Sequence, residues 1–254
     1  MAKDVIVACD FPSMEKTLEF LDLFKDIRKP FVKIGMELFY AEGPRVVREI
    51  KNRGHKVFLD LKLHDIPNTV AGGMRSLAGL GVDMTNVHAS GGIRMMKAGL
   101  DGLSSGAAAI RASCSCDGGK AVNGGADVPI LIAVTQLTST DQTMLNEELL
   151  ISGDINDVIV KYAENAKAAG LGGVVCSPLE AGLIHRACGD DFLTVTPGIR
   201  FEGGSADDQS RITTPAKARM LGSDYIVIGR PVTQADDPAA AYLRAVSEFL
   251  GEQQ

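Results

Sequence analysis

Short apolar runs alternate with amphipathic segments along most of the 254-residue chain. Asp4–Asp10 (DVIVACD), Phe31–Gly35 (FVKIG), Val57–Lys62 (VFLDLK), Met84–His88 (MTNVH) and Pro129–Thr135 (PILIAVT) are near-continuous hydrophobic stretches of strand length. Gly173–Cys176 (GVVC), Phe192–Thr196 (FLTVT) and Tyr225–Ile228 (YIVI) continue the series. Such runs belong to parallel strands covered on both faces. Between them the apolar spacing turns helical. A helix starts at Pro12 and Ser13, with Leu18, Leu21 and Phe24 on one face, and others span Gly43–Asn52 and Asn68–Leu80, closed by Gly54 and Gly81. Further helices are predicted over Ile93–Leu103, Asp154–Ala169, Leu179–Cys188, Pro215–Leu221 and Ala239–Leu250. Eight strand–helix units in order predict an α/β protein, a single-domain (β/α)8 TIM barrel over residues 1–254. A doubly wound sheet is the alternative, but it needs a glycine-rich turn after its first strand, and Asp10-Phe11-Pro12-Ser13 is not one. The pattern stalls once, over the Gly/Ala/Ser-rich residues 104–127, read as an insertion made of an extended helix end and a surface loop.

Composition narrows the class. A net charge of −6 and a pI of about 5.3 argue against a broad nucleic-acid footprint. The five cysteines are an odd number without zinc-ligand spacing: Cys9 and Cys176 lie in strand-like runs and read as reduced core residues, Cys114 and Cys116 as loop thiols. No metal site is expected. The start, Met-Ala-Lys-Asp, lacks a signal-peptide apolar region, and no apolar run approaches the ~18 residues of a membrane span. A cytoplasmic protein with neither a membrane nor a nucleic-acid partner is the reading.

Charge inside the apolar runs carries the chemistry. Asp60 and Lys62 interrupt the third run two residues apart, so both leave one face of the strand, and Lys33 interrupts the second. Asp65 follows where the third strand should end, with Pro67 able to open the next helix. Barrel sites lie at the C-terminal strand ends, where Asp10, Lys33, Asp60, Lys62, Asp65, Thr138, Arg200, Gly229 and Arg230 collect. Unit charges ~4 Å apart interact by about 4 kcal/mol at an effective dielectric near 20, so a lysine between two carboxylates stays protonated. That makes a proton donor rather than a Schiff-base nucleophile. The loops after strands seven and eight carry Gly198-Ile199-Arg200 and Gly229-Arg230, suited to phosphate through backbone N–H groups and bidentate guanidinium. Phe201–Thr213, with Gly203, Gly204 and Gln209, reads as a closing lid.

Asp60-x-Lys62-x-x-Asp65-Ile66-Pro67-Asn68-Thr69 resembles the signature of the orotidine 5′-monophosphate decarboxylase family. The similarity runs from Asp10 to Arg230 and includes Val134-Thr135-Gln136-Leu137-Thr138-Ser139 and Pro197-Gly198-Ile199-Arg200. The Asp-x-Lys-x-x-Asp core is shared with a wider suprafamily; Lys33 and the longer signature are more specific. Residues 104–127 depart from the family by their length.

The resemblance implies cofactor-free decarboxylation of orotidylate to UMP in pyrimidine biosynthesis. Lys62 is then the proton donor, with Asp60 and Lys33 completing the charged array. Asp10 and Lys33 are expected on the ribose hydroxyls and Thr138 near the base or lid. Gln209, Arg200, Gly229 and Arg230 are expected on the phosphate. Asp65 and Thr69 are expected to enter the site from the partner of a homodimer. His88 is read as a packed histidine without a chemical role. Two other readings are a Mg2+-dependent sugar-phosphate decarboxylase or aldolase of the same suprafamily, and a non-catalytic phosphate-ligand-binding barrel. Lys33 speaks against the first, because a lysine there repels the ion.

Overall fold

The computed structural model describes residues 3–114, 128–203 and 213–251. Eight parallel strands close into a barrel in chain order: β1 (Asp4–Ala8), β2 (Phe31–Ile34), β3 (Val57–Leu63), β4 (Met84–His88), β5 (Ile130–Val134), β6 (Gly173–Val175), β7 (Leu193–Thr196) and β8 (Tyr225–Ile228). β8 pairs with β1, from Asp4 opposite Tyr225 to Val7 opposite Ile228.

The pleat sorts the apolar residues into two cores. Ile6, Ala8, Phe31, Phe58, Met84, Ile132, Val195 and Val227 fill the barrel. Their neighbours Val5, Val7, Val32, Ile34, Val57, Leu59, Leu131 and Ile226 face outward into the layer between sheet and helices. Side chains alternate along a strand, so the residue two past each inward one also points inward, one layer nearer the mouth. Applied to Ala8, Phe31, Phe58, Met84 and Val227, that rule reaches Asp10, Lys33, Asp60, Asn86 and Gly229. The charged layer is thus the top of the barrel core, held by the strands that bury its floor.

Helices cover the outside. They are α1 (Met14–Asp22), α2 (Met36–Glu42), α3 (Pro44–Asn52), α4 (Pro67–Ala78), α5 (Gly92–Cys114), α6 (Ile155–Ala168), α7 (Ala181–Cys188), α8 (Pro215–Met220), α9 (Arg230–Thr233) and α10 (Pro238–Leu250). Ser13, Asp154, Thr214 and Asp237 cap their helices by accepting a backbone N–H of the first turn. Helix α2 and the π-helical turn Met144–Glu148 are absent from the sequence reading, both being too short for a full apolar period. α5 runs on through Cys114 and accounts for the start of the Gly/Ala/Ser-rich stretch. A Cβ on Gly102 or Gly106 would collide with the backbone of α4 at Ala71 or Arg75, so small residues here let two helices pack closely. Residues 115–127, including Cys116, lie outside the described residues. Cys9 and Cys188 are buried free thiols, and Cys176 is buried as well. No helix among the described residues is long and apolar enough to cross a membrane, and these residues hold no cluster of three metal-ligating side chains.

Candidate active site

Three strand ends build an ion row. The Lys33 ammonium lies 3.0 Å from Asp10 Oδ1 and 3.5 Å from Asp60 Oδ2, while Lys62 Nζ lies 2.7 Å from Asp60 Oδ1. The order is Asp10, Lys33, Asp60, Lys62, alternating in sign. Asp60 and Lys33 are nearly enclosed, each with 12% of its side chain exposed. Burial alone pushes the Asp60 carboxyl up, but Lys33 and Lys62, with hydrogen bonds from Lys62 and Asn86, more than reverse this and hold it below the usual carboxylate range. For Lys33, burial pulls the ammonium down and the Asp60 and Asp10 carboxylates more than restore it, so its pKa is raised. Both groups are therefore ionised across the neutral range.

The Asp60–Lys62 pair does not sit on a regular strand. Leu59 pairs with Thr85 and Leu63 with Val87, so four steps of β3 oppose two of β4. Asp60, Leu61 and Lys62 bulge out of the ladder, and Lys62 has φ +53°, left-handed and strained for a side chain of its kind. Such strain persists where the surroundings over-determine it. Here the Lys62 N–H donates to Asn86 Oδ1 at 2.8 Å, and Asn86 Nδ2 donates to Asp60 Oδ1 at 2.7 Å. Asn86 is missing from the sequence reading because one polar residue in MTNVH looks ordinary. Its position two past inward-facing Met84 is the signal that finds it.

Gly35 ends β2 against the row. A Cβ there would stand 2.9 Å from Asp10 Oδ1 and 3.2 Å from Lys33 Nζ. Gly35→Ala is expected to displace the Asp10 carboxylate, the more exposed partner, and break its bond to Lys33. The Asp10 side chain is 55% exposed, so solvent screens this bond and its loss should lower stability by no more than about 1 kcal/mol. A melting curve should therefore shift down by no more than about 2–4 °C with the fold intact.

The other predicted residues are distributed as follows. Asp65 and Thr69 are exposed at the start of α4. Asp65 Oδ1 accepts the N–H of Ile66 at 2.6 Å, and within the described chain Asp65 makes no ion pair with Lys62. Both residues flank Ile66, a hydrophobic side chain 67% exposed, beside an open hollow of about 510 Å³ lined by His64, Asp65, Ser90 and Arg94 among others. His88 ends β4 with its ring 5.7 Å from that of His64. Burial, then His64 and Lys62, lower its pKa, so it is neutral near pH 7. Thr138 is half-buried in the turn after β5.

At the far side, Arg200 is buried at 7% exposure, with Nη1 donating to its own Ile199 carbonyl at 2.9 Å. Arg200 and Thr213 are tied together: the Arg200 N–H donates to Thr213 O at 2.9 Å and the Thr213 N–H to Gly198 O at 3.0 Å. Phe201 lies under the Arg244 guanidinium at 4.2 Å. Gln209 and the rest of 204–212 lie outside the described residues. Gly229 closes β8 and precedes exposed Arg230 at the start of α9.

This arrangement can bind an anion at one side and hold a protonated lysine at the other. Residues 3–245 match the orotidine 5′-phosphate decarboxylase / HUMPS family. The chain is 49% identical over 251 residues to the orotidine 5′-phosphate decarboxylase of Bacillus cytotoxicus, covering 99% of each. It is 53% identical over 246 residues to that of Geobacillus thermodenitrificans, covering 97% of this chain and 96% of the relative. Its fold superimposes with a TM-score of 0.82 on the crystal structure of orotidine 5′-phosphate decarboxylase from Lactobacillus acidophilus, at 42% identity over 97% of this chain and 99% of that one.

Proposed function

The chain belongs to the orotidine 5′-phosphate decarboxylase / HUMPS family, and from that premise we propose how its charged row acts. The protein is a lyase that converts orotidine 5′-monophosphate to UMP in pyrimidine biosynthesis. The observation that carries the mechanism is the Asp10–Lys33–Asp60–Lys62 row at the barrel mouth. In the reaction the bond from C6 of the pyrimidine to the carboxylate carbon breaks, CO2 leaves, and the electron pair stays on C6. That carbon has no adjacent electron sink. The Lys62 ammonium, fixed by Asp60, stabilises the growing negative charge and then gives C6 its proton; solvent restores the ammonium. Groups held in place beforehand stabilise such charge without reorganising, which is where most of the rate enhancement arises.

Asp10 and Lys33 take the ribose hydroxyls, Asp60 joins them, and Thr138 sits by the base or lid. Arg200, Arg230, Gly229 and Gln209 take the phosphate. Contacts at that remote end drive lid closure and so contribute to the barrier at C6. The row supplies the charge stabilisation by itself, so neither a metal nor an organic cofactor enters the scheme. A cytoplasmic location accompanies this role.

The active unit is a homodimer in which Asp65 and Thr69 complete the partner's site. In support, both are exposed beside Ile66, and Asp65 does not reach its own Lys62. Mixing Lys62→Ala and Asp65→Ala chains, each nearly inactive, tests this. In a twofold dimer one site of each hybrid regains both native residues, so a random mixture should recover about one quarter of wild-type activity. No recovery in an exchanged mixture counts against shared sites.

A further inference from the structure

Asn86 has no part in the reaction scheme above, yet it holds both ends of the Asp60–Lys62 pair. It is fully buried and lies opposite the bulge of β3. A backbone N–H only donates, so the Asn86 oxygen must face Lys62 N, and its NH2 must face the Asp60 carboxylate. The amide therefore has one orientation. Asp60 Oδ1 then receives Asn86 Nδ2 and Lys62 Nζ, each at 2.7 Å, leaving Oδ2 for Lys33. At the same time the Asn86 oxygen replaces the ladder acceptor that the bulge takes from Lys62. Next to it, Thr85 Oγ1 donates to Leu59 O at 3.0 Å, pinning the strand where the bulge begins.

We propose that Asn86 is a positioning residue for the decarboxylation: its amide locks the left-handed turn that aims the Lys62 ammonium and fixes the rotamer of the Asp60 carboxylate. The inference rests on Lys62 being the proton donor. Two separate hydrogen bonds from one side chain join the backbone of the donor to the carboxylate that orients it. A misplacement of about 1 Å at a reacting group costs about a hundredfold in rate.

Two variants separate the roles. Asn86→Leu keeps the branching at Cγ with a somewhat larger side chain and removes both bonds; kcat should fall about a hundredfold while UMP affinity, which Asp60 shares with Asp10, Lys33 and the phosphate contacts, falls by less than about tenfold by calorimetry. Asn86→Asp keeps the acceptor for Lys62 but faces Asp60 with a second carboxylate. Two adjacent carboxylates favour holding one proton between them. Once protonated, the carboxyl introduced by Asn86→Asp donates to Asp60 as the amide does. The ratio of Asn86→Asp to wild-type kcat should therefore rise several-fold as pH falls from 8 to 5. The charged and titratable groups around position 86 are Asp60, Lys62 and Lys33 from β3 and β2, with His64 and His88; β5 places Ile132 opposite. Taking the ratio cancels the contributions common to both enzymes.

A kcat for Asn86→Leu within about threefold of wild type overturns the inference, as does equal loss of kcat and UMP affinity. If Asn86→Leu does not fold, Asn86→Asp decides alone, and a ratio flat in pH overturns it. An active Lys62→Ala enzyme would instead remove the premise, which is a different outcome from an active Asn86→Leu enzyme beside an inactive Lys62→Ala.

Discussion

Lys62→Ala is expected to lower kcat for orotidylate by at least about 10⁴-fold while UMP still binds within about tenfold of its wild-type affinity. Two contributions are lost at one atom. Removing a positioned general acid costs about 10²–10⁴ in rate, and removing a fixed charge beside the developing anion about 10²–10³. Ten-thousandfold corresponds to about 5.5 kcal/mol of transition-state stabilisation. UMP carries neither the departing carboxylate nor the carbanion, so its affinity should depend mainly on the ribose and phosphate contacts. Pyrimidine absorbance follows turnover, and calorimetry follows UMP. Turnover within tenfold of wild type would remove Lys62 from the donor role.

The second large effect is on Asp60. It is the anion shared by two ammonium groups, at 3.5 and 2.7 Å, and its side chain is 12% exposed. Asp60→Asn keeps the shape and removes the charge. Breaking a buried ion pair on one side costs about 3–5 kcal/mol because the remaining charge is left uncompensated. For a domain of this size that is a fall in Tm of about 6–10 °C. With Lys62 no longer anchored, kcat should drop by about 10²–10³.

The pH dependence of stability follows from the same pair. Asp60 is depressed in the folded state, so its contribution is complete above the unfolded value near 3.9 and is lost as pH falls through the lower folded value. Lys33 is raised, so its contribution is complete below the unfolded value near 10.4 and is lost as pH rises through the higher folded value. The row therefore stabilises the protein across the whole interval between those limits. In Asp60→Asn the burial of Lys33 loses its main counterweight, and alkaline unfolding should begin at lower pH than in the wild type. Melting curves from pH 3 to 11 read both limbs; an unmoved alkaline limb would mean that Asp60 does not hold the Lys33 charge.

Much of this molecule is legible before any coordinates. All eight strands are visible because a strand buried on both faces has little choice but a run of Val, Ile, Leu and Ala. Lys33, Asp60 and Lys62 stand out because charge inside such a run is costly unless paired. Other features depend on three-dimensional relations that a linear pattern does not encode. The pleat rule puts Asp60 and Lys62 together, but their contact is made across a bulge with Lys62 left-handed, and no propensity of lysine announces that. Asn86 is one unremarkable letter until Met84 is known to face inward. α2 spans only Met36–Glu42, too short for its apolar residues to establish a period. Gly102 falls in the helix predicted over Ile93–Leu103 and Gly106 in the stretch after it, but their role, letting α5 press against the backbone of α4, shows only in the fold. Asp65 and Thr69 take their proposed meaning only from a second subunit, which one chain's sequence cannot display.

The most direct test is a crystal structure of the protein with UMP bound. Lys62 Nζ should lie about 3–3.5 Å from C6, the distance of a group poised to react, with Arg200 and Arg230 on the phosphate. A Lys62 side chain turned to solvent, or a phosphate held away from those two arginines, would contradict the account.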